Sequence, residues 1–239
     1  MRPTLGAVVA ASIAIGFAAS FGCGKPSGAP ALLSQPSRSQ AGGSLALVSL
    51  AGKILGASGQ SGSLVYEGSC AQGDISDPFK LTMPAHLTPA VAALNEAFAL
   101  DPRLSVNVES GLIRIIGGNV PRDLLDLRLG HVAFRNEADP RDAVQRLLTL
   151  PEVRSYMEAR GILWLTTLQG IYAPPTEGSP DLDVTLKDVT LSDALDRIVR
   201  TFPGMWTYRD CVEGHGHRAV FVNLLTFSPA PIDGGEGRR

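Results

Sequence analysis

Apolar residues recur along this chain with two periods, and the periods take turns. Residues 182–186, Leu-Asp-Val-Thr-Leu, are apolar at every second position, which predicts a strand with one buried face. Thr190-Leu191-Ser192-Asp193 follows, a Thr with an acidic residue three places on, the pattern of a capping box. Behind it Leu191, Ala194, Leu195, Ile198 and Val199 fall three and four apart, the stripe of an amphipathic helix. Pro203-Gly204 ends that helix. Strands are predicted at 205–208 and 218–227, joined by the polar, Gly-containing segment 210–217. The order is strand, helix, strand, strand.

The same order occurs earlier. Residues 63–69 read as a short strand leading to Cys70 and a polar turn over 73–78. Phe79, Leu81 and Met83 alternate as a further strand. Thr88-Pro89 predicts a helix start, with Thr as the cap and Pro at the first helical position, where its missing N–H costs nothing. Val91, Leu94, Ala97 and Phe98 supply the apolar stripe, and Asp101-Pro102 closes it. Leu104, Val106 and Val108 alternate, Ser110-Gly111 forms a tight turn, and 112–116 returns as a hairpin.

A third echo begins at Leu125, with Leu127, Leu129, Val132 and Phe134 before a helix capped at Asp139-Pro140 and carrying Val144, Leu147 and Leu148. Residues 127–132 and 184–189 match in apolar character at three of six positions. Residues 151–160 predict a second short helix with Val153, Tyr156 and Met157 inward, and 162–168 a buried strand. The prolines of 172–180 mark a loop, and 45–55 is apolar enough for either a helix or a strand. The expected fold is α+β: two small strand–helix–strand–strand units, 63–120 and 181–227, joined by a strand and helical connection over 121–180.

The amino terminus changes the picture from architecture to address. Arg2 precedes an uncharged apolar run over 5–21 that ends in small residues, the pattern of a secretory signal over 1–22. Two cut sites fit: after Ala18-Ala19-Ser20, or immediately before Cys23. In the second, Gly22-Cys23 is similar to a bacterial lipoprotein signal, in which the Cys is lipid-modified and tethers the chain to a membrane. Residues 23–62 begin with a Gly-, Ser-, Pro- and Gln-rich stretch read as a flexible tether, and the composition of 228–239 predicts a disordered tail.

Charge and cysteines narrow the function. The 239 residues carry a formal net charge of −2 without a basic cluster, which argues against a nucleic-acid partner. Once Cys23 is set aside, Cys70 and Cys211 remain, an even pair that in an oxidising compartment predicts one disulfide; two separate buried thiols are the alternative.

The 182–227 unit resembles the short N-terminal domains of secretins and TonB-dependent receptors. The likeness is carried by Val189-Thr190-Leu191-Ser192-Asp193-Ala194-Leu195-Asp196-Arg197-Ile198, which matches their helix start between strands. It implies an envelope protein with an interaction fold and no catalytic residue.

Candidate chemistry is sparse. Cys211, His215 and His217, with Glu213 between, have metal-ligand character suited to zinc or copper, although Cys211 is also the disulfide candidate. A solvated turn served by Gly214 and Gly216 accounts for the same residues. His86 and His131 are isolated and read as structural, Asp193 serves the helix start, and Trp164, Trp206, Tyr208 and Phe221 read as core rather than as a ligand groove. No nucleophile elbow, zinc-protease motif or phosphate loop is present in the sequence. The reading is a non-enzymatic envelope protein, periplasmic, outer-membrane or extracellular, that needs no cofactor and binds a protein partner or itself. The alternative is a metal- or small-molecule-binding protein, with or without catalysis, built on the 211–217 loop.

Overall fold

A computed structural model describes residues 44–68, 70, 79–165, 180–212 and 216–227. The signal region with Cys23, most of the tether, the loop over 172–179, His215 and the tail lie outside the described residues. The elements are α1 (Ser44–Ala57), β1 (Gly62–Glu67), α2 (Ala90–Phe98), β2 (Leu104–Glu109), β3 (Leu112–Gly117), β4 (Arg128–Glu137), α3 (Pro140–Leu148), α4 (Pro151–Ala159), β5 (Leu163–Trp164), β6 (Leu182–Thr190), α5 (Leu191–Thr201), β7 (Gly204–Val212) and β8 (Arg218–Thr226). The α+β class read from the sequence is the class found.

The strands form a six-stranded sheet in the order β2-β3-β1-β7-β8-β5 and a separate pair, β4-β6. β1 runs parallel to both β3 and β7, whereas β2-β3 and β7-β8 are antiparallel hairpins. β1 can lie this close to β3 because Gly62 has no side chain: a Cβ there would collide with the Ile113 carbonyl oxygen.

Both faces of the sheet are packed, as expected for a sheet with parallel strands at its centre. On one face α1 and α2 bring Leu47, Ile54, Leu55 and Leu94 against Leu64, Ile113, Ile115 and Met205. On the other, α3, α5 and the β4-β6 pair bring Leu147, Leu195, Ile198 and Phe134 against Val65, Trp206, Tyr208 and Val222. The two hexapeptides that matched in the sequence pair with each other: Leu129 lies opposite Val189 and Val132 opposite Leu186.

Local expectations fare well at the helices. Asp139 caps α3 by accepting from the Arg141 N–H, and Thr190 and Asp193 close the capping box of α5. Residues 45–55, left open between helix and strand, lie in α1. Three expectations are corrected. α2 begins at Ala90, with Pro89 at the cap position after a cis Thr88–Pro89 bond and no side-chain cap from Thr88. Residues 79–83 make only an isolated bridge at Phe79; Phe79 and Leu81 are buried while Met83 is exposed. The strand expected over 162–168 is, among the described residues, the two-residue β5 with Leu163 exposed. Both strand–helix–strand–strand units are present, as β1-α2-β2-β3 and β6-α5-β7-β8, and they are joined because β1 of the first pairs with β7 of the second while β6 pairs with β4.

Candidate functional site: an open sheet edge beside the Arg114 cleft

β2 lies at the end of the six-stranded sheet, and its geometry follows from its turn. Ser110 (φ 51°) and Gly111 (φ 79°) are both left-handed, as a two-residue hairpin of matching twist requires. Glu109 then faces Leu112, and the ladder continues back to Leu104 opposite Gly117. In such a ladder the pair flanking the turn exchanges both hydrogen bonds, and so does every second pair beyond it. The N–H and C=O groups of Glu109, Asn107 and Ser105 therefore point to β3, and those of Leu104, Val106 and Val108 point away. The Gly118 N–H donating to the Arg103 carbonyl at 2.9 Å continues this alternation one step further.

Among the described residues no strand pairs with the outer side of β2. Ser105, Asn107, Val108 and Glu109 are exposed, Val108 at 60%. Natural edges are usually blunted by lysine, proline or an inward charge; between Arg103 and Glu109 this one has none. Its entry is fixed by Asp101, whose buried carboxylate accepts from Arg103 Nε (2.9 Å) and Nη2 (2.8 Å) and from the Lys80 N–H (3.0 Å). The hydrogen bond from Arg103 leads in holding that carboxyl well below the usual carboxylate range, against the opposing pull of burial.

A cleft of about 330 Å³ adjoins this edge, walled by Asn107, Val108 and Glu109 of β2, Arg114 of β3, Ser63 of β1 and Trp206 of β7. Its floor is a charge cluster drawn from five elements. Arg114 Nη1 donates to Ser63 Oγ (3.0 Å) and to Asp196 Oδ1 (2.6 Å), Nη2 binds Asp196 Oδ2, and Nε reaches Glu109 (3.3 Å). Trp206 Nε1 donates to the same Asp196 Oδ1 at 2.8 Å, so the carboxylate is gripped from two sides. Burial works against the Arg114 charge, but Asp196 and then Glu109 outweigh it and raise the guanidinium above its ordinary value. With its guanidinium engaged by two carboxylates, Arg114 shapes the wall of the cleft rather than offering a free cation.

A second cluster holds the opposite end of the sheet. Arg218 forks onto Asp123 (2.8 and 2.9 Å) and donates to Asp210 Oδ2 (2.8 Å), while Tyr156 Oη donates to Asp123 (3.0 Å). Burial, followed by the Asp210 charge, pushes the Tyr208 phenol up, and the Arg218 hydrogen bond leads in pulling Asp123 down. Every member of this cluster is engaged by another, so it ties the 121–126 segment to β7 and β8.

The sequence-predicted residues divide clearly. Cys70 and Cys211 form a disulfide between positions 141 apart, with Cα atoms 5.3 Å from each other. That bond takes the Cys211 thiolate out of the proposed metal set. His217 is exposed, His215 lies outside the described residues, and no group of potential metal ligands converges among the described residues. His86 and His131 are exposed. Trp206, Tyr208 and Phe221 are core side chains, although Trp206 also forms one wall of the cleft. The Arg114–Asp196–Trp206 cluster went unread in the sequence. Its signals were an Arg in the middle of the apolar run Leu112-Ile113-Arg114-Ile115-Ile116, and an Asp between buried positions of α5. Comparison with protein-family models, curated proteins and solved structures gives no match to the chain.

Proposed function

We propose that this chain is an exported cell-envelope protein that acts without catalysis, by taking an extended segment of a partner protein along the outer edge of β2. The observation that carries the reading is the row of outward backbone groups at Leu104, Val106 and Val108, on a stretch of edge that carries no lysine, proline or charge between Arg103 and Glu109. Strand addition draws its affinity from main-chain hydrogen bonds and its selectivity from alternate side chains, and the adjoining cleft offers those side chains a recess. Export is supported by the amino-terminal apolar run and by the Cys70–Cys211 disulfide, which persists in an oxidising compartment. The likeness of 182–227 to the short N-terminal domains of secretins and TonB-dependent receptors points the same way.

The test is a photo-crosslinking side chain placed at position 108, with position 131 on β4, which is also exposed, as the control. Irradiation of cells should join position 108 to a protein and leave position 131 unlabelled. Absence of an adduct at 108, or equal labelling at both positions, refutes the reading.

A further inference from the structure

The edge that β2 presents matches itself. Its outward backbone groups belong to residues 104, 106 and 108, evenly spaced about Val106. Turn a second copy about a twofold axis perpendicular to the sheet at Val106, and each outward N–H meets an outward C=O. The rungs then become Leu104 opposite Val108, Val106 opposite Val106, and Val108 opposite Leu104. Between them Ser105 faces Asn107, two uncharged polar side chains on the other face of the ladder.

Only this register uses all three outward residues. Centring the axis on Ser105 sets Glu109 opposite Asp101 of the other copy, like charges on one rung. Centring it on Asn107 runs Leu104 into the Ser110 turn and shortens the ladder. Centred on Val106, Glu109 of one copy comes to the rung of Arg103 of the other, opposite charges that are 66% and 40% exposed at the side chain. Two of the large exposed apolar residues among those described, Val108 and Leu100, belong to β2 and to the turn that leads into it. Pairing places Val108 beside Leu104 of the second copy, covering an exposed aliphatic with a largely buried one.

On the reading that β2 is a binding edge, we infer that its occupant is a second copy of this chain, joined antiparallel through β2 into a continuous twelve-stranded sheet, about twice the six strands of one copy. A single-ladder interface is small, so the dimer forms in a concentration-dependent way.

The purified full chain carrying Cys23→Ser is examined by sedimentation over a range of concentrations. Its mass should move from one copy to two. Val106→Pro, which removes an outward N–H, and Val108→Lys, at an exposed site that leaves folding intact, should both hold it at one copy. Under mild oxidation Val106→Cys should give a disulfide-linked dimer, because the two 106 positions share a rung about 5.5 Å apart at Cα. Val108→Cys should not, since its opposite number is Leu104. A chain that stays single to about 1 mM overturns the inference. So does a dimer insensitive to Val108→Lys, or one that crosslinks at 108 in preference to 106. A single chain in solution together with an adduct of a different protein at position 108 in cells rejects the second copy and keeps the binding edge; no adduct at all rejects both.

Discussion

Asp196 is 4% exposed and receives Arg114 on one side and the Trp206 indole on the other. Removing it strands a largely buried guanidinium whose other carboxylate, Glu109, sits in solvent at 3.3 Å. Breaking one partner of a buried pair costs more than the pair contributes, because the remaining charge keeps its desolvation penalty. Asp196→Ala should therefore lower stability by about 3 kcal/mol, read as a fall in the urea midpoint. A loss within about 0.5 kcal/mol, typical of a surface site, would mean that Arg114 swings out to water and that the cluster does not order the cleft. The cluster was hard to see in advance because its members come from β3, α5 and β7, with Arg114 and Asp196 82 positions apart. Periodicity flags a charge in an apolar run as unusual, but it does not say which partner across the fold compensates for it.

Helices were legible wherever their ends are written locally. The α5 capping box lies within four consecutive residues: the Asp193 N–H donates to Thr190 Oγ1 at 3.1 Å, and the Thr190 N–H donates to Asp193 Oδ2 at 3.1 Å. Thr190→Ala removes one of these bonds and should cost about 1 kcal/mol, while Thr190→Ser should restore most of it. Equal losses for both would assign the effect to the Thr methyl against its neighbours rather than to the cap. The α2 start misled for a related reason: Thr-Pro fits a cap followed by a first helical proline, yet Pro89 itself occupies the cap position and the helix begins at Ala90. Strands were legible as neighbours where a local turn joins them, as Ser110-Gly111 joins β2 to β3, but not across the chain. Alternation tells which face of a strand is buried, and it contains nothing about which strand lies beside it. β1 and β7 each look complete within their own unit, and their parallel pairing from Gly62–Met205 to Glu67–Asp210 is a tertiary fact. Phe79 and Leu81 show the converse, since burial at alternate positions arises there without a ladder.

At the scale of the whole molecule, the β1–β7 pairing is what makes one sheet out of two similar halves, and the disulfide sits at its end. Glu67 lies opposite Asp210, the residue before Cys211, while Cys70 follows three positions after Glu67. The bond therefore links the ends of two strands that are already neighbours in space but 141 positions apart in the chain. Parallel pairing over such a separation bears a large loop-closure entropy, which the crosslink removes from the unfolded ensemble in advance. The chain-entropy account puts the resulting stabilisation at about 5 kcal/mol for a loop of this size. Reduction, or the Cys70→Ser/Cys211→Ser double variant, should lower the denaturation midpoint accordingly. It should also steepen the dependence on denaturant, because the unlinked chain expands further when it unfolds. The two readouts separate two possibilities. A lower midpoint with an unchanged slope would place the contribution in native contacts around Cys211, Ala219 and Phe221. An unchanged midpoint would mean that β1 and β7 hold together without the staple, and that the hydrophobic layers on the two faces of the sheet are enough to fix its order.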